Sequence, residues 1–436
     1  MIRKLLPLLV TLCWSPAARA EGLTLEAAVK RALSNNERSQ KAPLRVTVAE
    51  GQLERARDSF LPTLSAGASS TWRPDVRAGT NPSSNGTLTL TQPLLSPSSF
   101  PQYAQQKHNL ESEKWGALQD RRQLAFETAK AFIQALTADN VLASAQRKLA
   151  AAQLNLETAQ ARSQAGLASS NDATKAELQL ATSQGQVESA QGNVRKTYIA
   201  LSYLLAEKIE GPLIAPDNTT RAAQSFEQAQ RNQVKNALER RSRVLAAAQD
   251  RRPDVRSLQE RNLGLEASAR EPLYRLIPSL NAAGQLRFNP DPLGSEKAVD
   301  EQVSLNLSWQ IFDAGTRYAD RKQRVAQLES ARLDEKLLKR SVQNDIELAL
   351  ATLRAARANY KFAEQAAAAA RKNAEETKVL YDQGLARAIE VSDANDKQFD
   401  ADVTQAAAKL SMEQAYLDLR NALGFGPLDE QKGAPQ

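Results

Sequence analysis

The chain has 436 residues, with 57 Lys and Arg against 50 Asp and Glu, and it is 42% hydrophobic but only 5% aromatic. A net charge of +7 spread over this length describes a solvated surface and not a nucleic-acid footprint. Much of the apolar fraction is Ala, which argues against one large globular core and for long helices packed side by side through small seam residues.

At the start, Arg3 and Lys4 precede an apolar run from Leu5 to Trp14, and Ala18-Arg19-Ala20 reads as an A-x-A cleavage site. The run is too short to span a bilayer as a helix, so residues 1–20 are expected to be a signal peptide. Leu12 precedes Cys13 where a lipoprotein signal needs a small residue, which favours cleavage after Ala20. Processing would leave no cysteine and a charge of +4, since Arg3, Lys4 and Arg19 leave and no acid does. Disulfides and thiolate metal sites are then unavailable.

Two similar halves follow, residues 21–210 and 222–426, joined by a linker at 211–221 with Pro212 and Pro216 and trailed by a tail at 427–436. Three landmarks recur in one order. "LPTLSAG" (Leu61 to Gly67) pairs with "IPSLNAAG" (Ile277 to Gly284). In "TLTLTQPLLS" (Thr87 to Ser96), Leu90, Leu94 and Leu95 match Leu307, Ile311 and Phe312 at an offset of 217. "GLASSND" (Gly166 to Asp172) matches "GLARAIE" (Gly384 to Glu390) at 218. Each half is predicted as a helix, two strands, one very long helix, a turn and a second helix.

The first half places strands at about 61–72 and 86–95 before a helical hairpin at about 98–206; the second places them at about 279–289 and 302–312 before a hairpin at about 316–423. Ala138, Leu142, Ala145, Leu149 and Ala152, and likewise Ala349, Leu353, Ala356, Tyr360 and Ala363, are spaced four and three apart, a heptad seam. A helix from 316 to 381 would be about 100 Å long at about 1.5 Å per residue. Gly166 and Gly384 stand where a residue just past a helix end turns the chain.

Val303, Leu305, Leu307, Trp309 and Ile311 alternate with Ser304, Asn306, Ser308 and Gln310, as in a strand with one oily face. Segments 73–86 and 289–300 are polar, rich in turn formers, and expected as exposed loops. Strands of this length can cross a bilayer, and Trp72, Phe288 and Trp309 sit near strand ends where membrane-interface aromatics belong. A soluble half-buried sheet would give the same alternation. Topology favours the membrane, because four strands cannot close a barrel and lipid tolerates no open edge. Copies must therefore pool strands; two copies would nearly fill their barrel, whereas three leave a lumen. The expected fold is mainly α with a small transmembrane β part, a trimeric 12-stranded β-barrel continued by an α-helical barrel.

Several ordered motifs carry a resemblance. They are "LTLEAAVKRALSNN" (Leu23 to Asn36), "TQPLL" and "WQIFDAG" at the strand-to-helix corners, "RRPDVRSLQERN" (Arg251 to Asn262), "YDQGLARAIEVSDA" at the second hairpin and "LRNALGFGPL" near the end. Together they make the chain similar to the TolC-like outer membrane efflux proteins. The resemblance implies a homotrimer held in outer membrane lipid, with its helical barrel in the periplasm. Such a trimer is an exit duct for drugs and other toxic small molecules, or for secreted polypeptide. Cargo would come from an inner membrane pump through a periplasmic adaptor protein.

The resemblance also implies a periplasmic gate, with Glu390 and Asp393 as a carboxylate ring that selects for cations. It assigns a closed-state latch to Asp172 and Tyr381. The latch arginine fits less well: Ala386 occupies its position and Arg387 lies one residue on. Adaptor docking is implied at the hairpin tips, Gly166-Leu167 and Gly384-Leu385. Without the family, the two acids are an ordinary helix start and Gly-Leu is a cap with its hydrophobic contact.

Enzymatic chemistry is not expected. His108 is the only histidine, set among Gln, Lys and Asn as a solvated helix residue, so neither a catalytic dyad nor a His-rich metal site is available. No phosphate-cradling or dinucleotide glycine pattern occurs. A polysaccharide-acting enzyme would need paired carboxylates in a cleft. No cofactor, no metal and no nucleic-acid partner is implied. The rival reading is a periplasmic or surface coiled-coil scaffold without channel activity, which would extract without detergent.

Overall fold

The computed structural model describes residues 22–72, 83–166, 169–209, 211–216, 223, 237–290 and 297–428. The expected signal peptide, Leu167, residues 217–221 of the linker and residues 429–436 of the tail lie outside them.

Helices α1 (Leu25–Asn35) and α2 (Glu37–Asp58) lead into strands β1 (Thr63–Thr71) and β2 (Ser83–Leu95), then into α3 (Ser99–Gln164) and α4 (Ser170–Leu205). The same order recurs in α5 (Ala237–Arg251), α6 (Pro253–Tyr274), β3 (Ser279–Phe288), β4 (Val299–Ser308), α7 (Thr316–Asp382) and α8 (Ala388–Ala422). Each half therefore opens with two helices where the sequence reading expected one. Asn36 makes the first break: its backbone is extended and its side chain caps α2 by accepting from the Arg38 N–H at 2.9 Å. Pro253 makes the second as the first residue of α6, where a missing N–H leaves no bond unmade.

Contacts divide the chain into two compact units, each built from both halves. One holds α1, α4, α3 from Glu127, α7 from Ala356, and α8 to Gln414. The other holds α2, the four strands, α5, α6, the earlier parts of α3 and α7, and the chain from Ala415.

In the first unit the long helices meet through their Ala-rich seams. Ala138, Ala145 and Ala152 of α3 and Ala356, Ala363 and Ala367 of α7 are buried. A methyl at these positions lets helix backbones approach closely, so bulky side chains are few. Ala145 packs with Val187 and Ala190 of α4, flanked by Leu142, Leu149 and Phe399. Helix α1 buries Leu25, Ala28, Val29 and Ala32 and packs on α4. The expected linker does more than connect, because Leu213 bridges to Leu23: the Leu23 N–H donates to Pro212 O and the Ile214 N–H to Leu23 O, both at 2.9 Å.

The second unit holds one antiparallel sheet in the order β1-β2-β3-β4. Strands β2 and β4 begin at Ser83 and Val299, inside the segments expected as loops. Pro93 interrupts β2, and a register shift between Pro93 and Leu95 absorbs its missing N–H. The period-2 pattern predicts β4 to run to 312, yet the strand stops at Ser308. Beyond it, the Gln310 and Ile311 carbonyls accept from the Arg317 guanidinium at 3.2 and 3.1 Å. Asp313 accepts from the Gly315 and Arg317 N–H groups, and Ala314 and Gly315 turn the chain at φ 53° and 85°.

At the start of α6, the half-buried Asp254 accepts from Arg252 Nη2 at 2.6 Å, Arg252 Nε at 3.1 Å and the Val255 N–H at 2.9 Å. Burial opposes its ionisation, but the hydrogen bonds and charge of Arg252, the Val255 N–H and nearby Arg122 outweigh burial and hold the carboxyl below its ordinary value. A lowered acid stabilises the fold fully above its unfolded value of about 4, and that stability is lost as pH falls through the folded value. Asp254→Asn is therefore expected to flatten acid unfolding below about pH 4, read by circular dichroism in detergent.

Candidate functional site: a two-faced sheet and the hairpin ends

Register and the alternation of side chains sort the sheet into two faces. Leu64, Leu90, Gly284 and Val303 lie in one row across the four strands, and Ala66, Leu88, Leu286 and Glu301 in the next but one. Leu280, paired with Leu307, and Ala282, paired with Leu305, share this apolar face. Its polar members, Ser70, Ser84, Gln92 and Glu301, lie toward strand ends. The opposite face carries Thr63, Thr89, Thr91, Asn281, Gln285, Ser304 and Asn306. Its only charged residues in the ladder are Arg287 and Asp300, directly opposite one another. Among the described residues, β1 and β4 each keep one edge without a partner strand.

The three aromatics singled out from sequence follow the alternation of the apolar face. Trp72 and Phe288 stand at the loop end of the sheet and Trp309 at the helix end, all three exposed. Trp309 Nε1 donates to Leu276 O at 3.0 Å, which fixes its ring at that end. Val303 is 88% exposed and Leu305 69%, so among the described residues nothing covers the apolar face of β4. No helix among the described residues is long and apolar enough to cross a membrane.

The hairpin ends lie in the other unit. Gly166 and Gly384 have φ of +70° and +79°, a conformation that glycine adopts without strain. At the second turn the Leu385 N–H bonds Leu380 O at 2.8 Å and the Gly384 N–H bonds Tyr381 O at 3.0 Å, a Schellman-type closure. Leu385 is 74% exposed beside it. At the first turn Ser169 caps α4 by accepting from the Asn171 N–H.

The expected gate acids sit in the first two turns of α8 and have local partners. Glu390 reaches back to the Arg387 N–H at 3.3 Å, the reciprocal bond of a capping box, with Arg387 Nε 3.9 Å away. Asp393 pairs with Lys397 at 2.7 Å. Both acids are exposed.

Within one chain the three residues expected as a latch, Asp172, Tyr381 and Arg387, are not joined by side-chain bonds. Arg387 is 81% exposed and turns to Glu390, while Asp172 makes no side-chain bond among the described residues. Tyr381 is buried at 6%, and the arginine on it is Arg162 from the last turn of α3. Its Cζ lies 4.2 Å from the ring centroid, and its Nη2 donates to Tyr381 O at 2.9 Å. Tyr381 also packs with Ala388 and Val391 of α8.

Sequence reasoning also missed the polar ties between these helices. Lys148 of α3, buried, bonds Asp396 of α8 at 2.6 Å and lies 4.8 Å from the Phe399 ring, while Gln179 of α4 donates to the same carboxylate. Asp402 of α8, also buried, takes Arg371 of α7 and Arg147 of α3. In the sheet-bearing unit, His108 is not the solvated residue expected. Its Nδ1 lies 2.8 Å from Glu260 Oε2, across from Gly264, whose missing side chain leaves room for Asn109 and the His108 Cβ.

Comparison with known proteins gives this architecture its place. A sequence profile of the outer membrane efflux protein family matches residues 28–207 and 244–425. Among solved structures, a membrane protein from Pseudomonas aeruginosa superposes with a TM-score of 0.76 at 19% identity, covering 92% of each chain. The CmeC outer membrane channel of Campylobacter jejuni gives 0.76 at 18%, covering 94% of this chain and 87% of that one. The open state of the Neisseria gonorrhoeae MtrE outer membrane channel gives 0.76 at 19%, covering 94% and 91%. No curated protein sequence matches. With the family profile spanning both repeats, and with the mainly helical fold and small antiparallel sheet of TolC-like channels, the chain belongs to the outer membrane efflux protein family.

Proposed function

We propose that the protein is an outer membrane exit duct in which three copies pool their sheets into a twelve-stranded barrel, continued by their helices into the periplasm. The observation behind this reading is the sheet: one apolar face, one polar face and, among the described residues, two edges without a partner strand. An apolar face on a four-stranded sheet is satisfied by lipid, and open edges in lipid are satisfied only by closure with neighbouring copies. The ten residues of β3 span about 33 Å, or about 23 Å when tilted about 45°, close to the apolar band of an outer membrane barrel. The polar face then lines the lumen. Its hydroxyls and amides, with Arg287 opposite Asp300, present little net charge to cargo.

Ion preference therefore belongs to the hairpin end, where three copies of Glu390 and Asp393 would ring one axis. The duct takes drugs, other toxic small molecules or secreted polypeptide from an inner membrane pump through a periplasmic adaptor. The adaptor meets the tips at Gly166, Leu167, Gly384 and Leu385, and adaptor contacts that differ between closed and open arrangements drive opening. A coiled-coil scaffold would account for the Ala-rich seams but has no use for a sheet with an uncovered apolar face.

Single-channel recording of the detergent-purified mature protein in a planar bilayer tests the reading, with small, stable, cation-preferring steps expected. A protein that extracts into plain buffer and gives no steps would be the scaffold. In the double variant Glu390→Ala/Asp393→Ala, the cation-to-anion permeability ratio is expected to fall toward unity; an unchanged reversal potential would remove these acids from the selectivity ring.

A further inference from the structure

We propose that Arg162, and not Arg387, is the arginine that holds the gate-bearing turn of this chain in place; this rests on the conduit reading above. Three observations converge on it. Arg162 lies in the last turn of α3, and its guanidinium reaches Tyr381 O, a carbonyl at the end of α7. It thus stands at the carbonyl ends of two helices at once, where the partial negative charge of each favours a cation. Its Cζ lies 4.2 Å from the Tyr381 ring centroid, and because that tyrosine is buried and the arginine half-buried, the contact is partly shielded from competing water.

Tyr381 passes the restraint on. It touches Ala388 and Val391, the first turn of α8, and Glu390 stands between them in sequence. Arg162 therefore acts on the gate through Tyr381, which makes it a positioning residue. Both turns depend on left-handed glycines, Gly166 and Gly384, that resist little by themselves. The clasp ties the ends of the two hairpins of one chain together, so the second turn cannot swing while the first stays still. Arg387, 81% exposed and turned to Glu390, makes no such tie.

The tyrosine hydroxyl takes no part in the clasp. The clasp uses the ring face and the main-chain carbonyl, both of which phenylalanine keeps. Lysine in place of Arg162 keeps the charge but loses the guanidinium that reaches ring face and carbonyl together.

The test is single-channel recording of the full mature chain and its variants, alongside amide hydrogen exchange at Gly384 and Leu385. Arg162→Ala is expected to shift the closed-to-open ratio about tenfold toward open, the scale of one half-buried cation–π contact with its hydrogen bond, and to speed exchange at both amides. Arg162→Lys should fall between it and the wild type. Tyr381→Phe and Arg387→Ala should gate as the wild type does. Opening by either of the last two overturns the proposal even if Arg162→Ala fails to fold. Faster exchange in Arg162→Ala with unchanged gating also overturns it and leaves a contact of the fold alone. A wild type that never conducts would remove the conduit itself, and the gate with it.

Discussion

Replacing Arg275 and Arg324 together by methionine is expected to destabilise the sheet-bearing unit by about 3–5 kcal/mol, because it strands a buried carboxylate. Glu271 near the end of α6 has a side chain only 2% exposed. Arg275 grips it with two bonds, at 2.8 and 2.9 Å, and Arg324 of α7 approaches at 3.1 Å. Each arginine has a second anchor: Arg275 on Asp320 at 2.8 Å, Arg324 on Ser268 O at 2.9 Å. The cluster thereby joins the end of α6 to the first turns of α7, on either side of the β3–β4 hairpin.

Either arginine alone is the smaller loss, about 1–2 kcal/mol, since the other still faces Glu271. The double variant should exceed the sum of the singles, as groups sharing one partner do. Adding Glu271→Leu to the double variant should recover much of the stability, because an apolar residue needs no cation. Guanidinium unfolding followed by circular dichroism reads all four proteins. A double variant no worse than the summed singles would mean that water already serves the Glu271 carboxylate.

What the sequence made legible follows from which interactions are local. The seams of α3 and α7 were readable because burial along a helix repeats every three or four residues, and Ala145, Leu353 and Ala363 each record it. The strands were readable from alternation, but their ends were not. Alternation reports which side a residue faces, whereas β4 ends where Arg317 takes the Gln310 and Ile311 carbonyls. The break at Asn36 could have been read from its capping side chain, whereas the Glu390 bond to the Arg387 N–H could not, since arginine is not the Ser or Thr that signals a capping box.

Arg162 had only half a signal. Its place in the last turn of a helix favours a cation, but Tyr381 lies 219 residues away and only the fold brings them together. A motif match drew attention instead to Arg387, the nearer arginine in sequence. His108 misled for the same reason: its neighbours in the chain are polar, and its partner Glu260 stands 152 residues on.

A second large loss is expected from Arg371→Met, about 2–4 kcal/mol, because Asp402 would be left buried with a poor partner. The Asp402 side chain is 7% exposed, and Arg371 holds its Oδ1 through Nε at 2.9 Å and Nη2 at 2.7 Å. Arg147 is the other cation, but at 3.7 Å from Oδ2 it is beyond hydrogen-bond reach and is itself held by Ser144. Arg147→Met should therefore change little, within about 1 kcal/mol, because an exposed guanidinium at that distance gives the buried carboxylate no hydrogen bond to lose. The asymmetry is the test. Equal effects of the two substitutions, measured by denaturant unfolding, would mean that the carboxylate shares its charge evenly and that distance is a poor guide here.

Asp402→Leu placed on Arg371→Met should restore most of the stability, which separates a stranded charge from lost packing of the Arg371 stem. The pair also bears on function. Arg371 and Asp402 join α7 to α8 within the second hairpin, whereas Arg162 joins α3 to the end of α7. Losing the former should loosen the hairpin without freeing its end, giving a less stable protein whose closed-to-open ratio stays that of the wild type. Losing the latter should do the reverse.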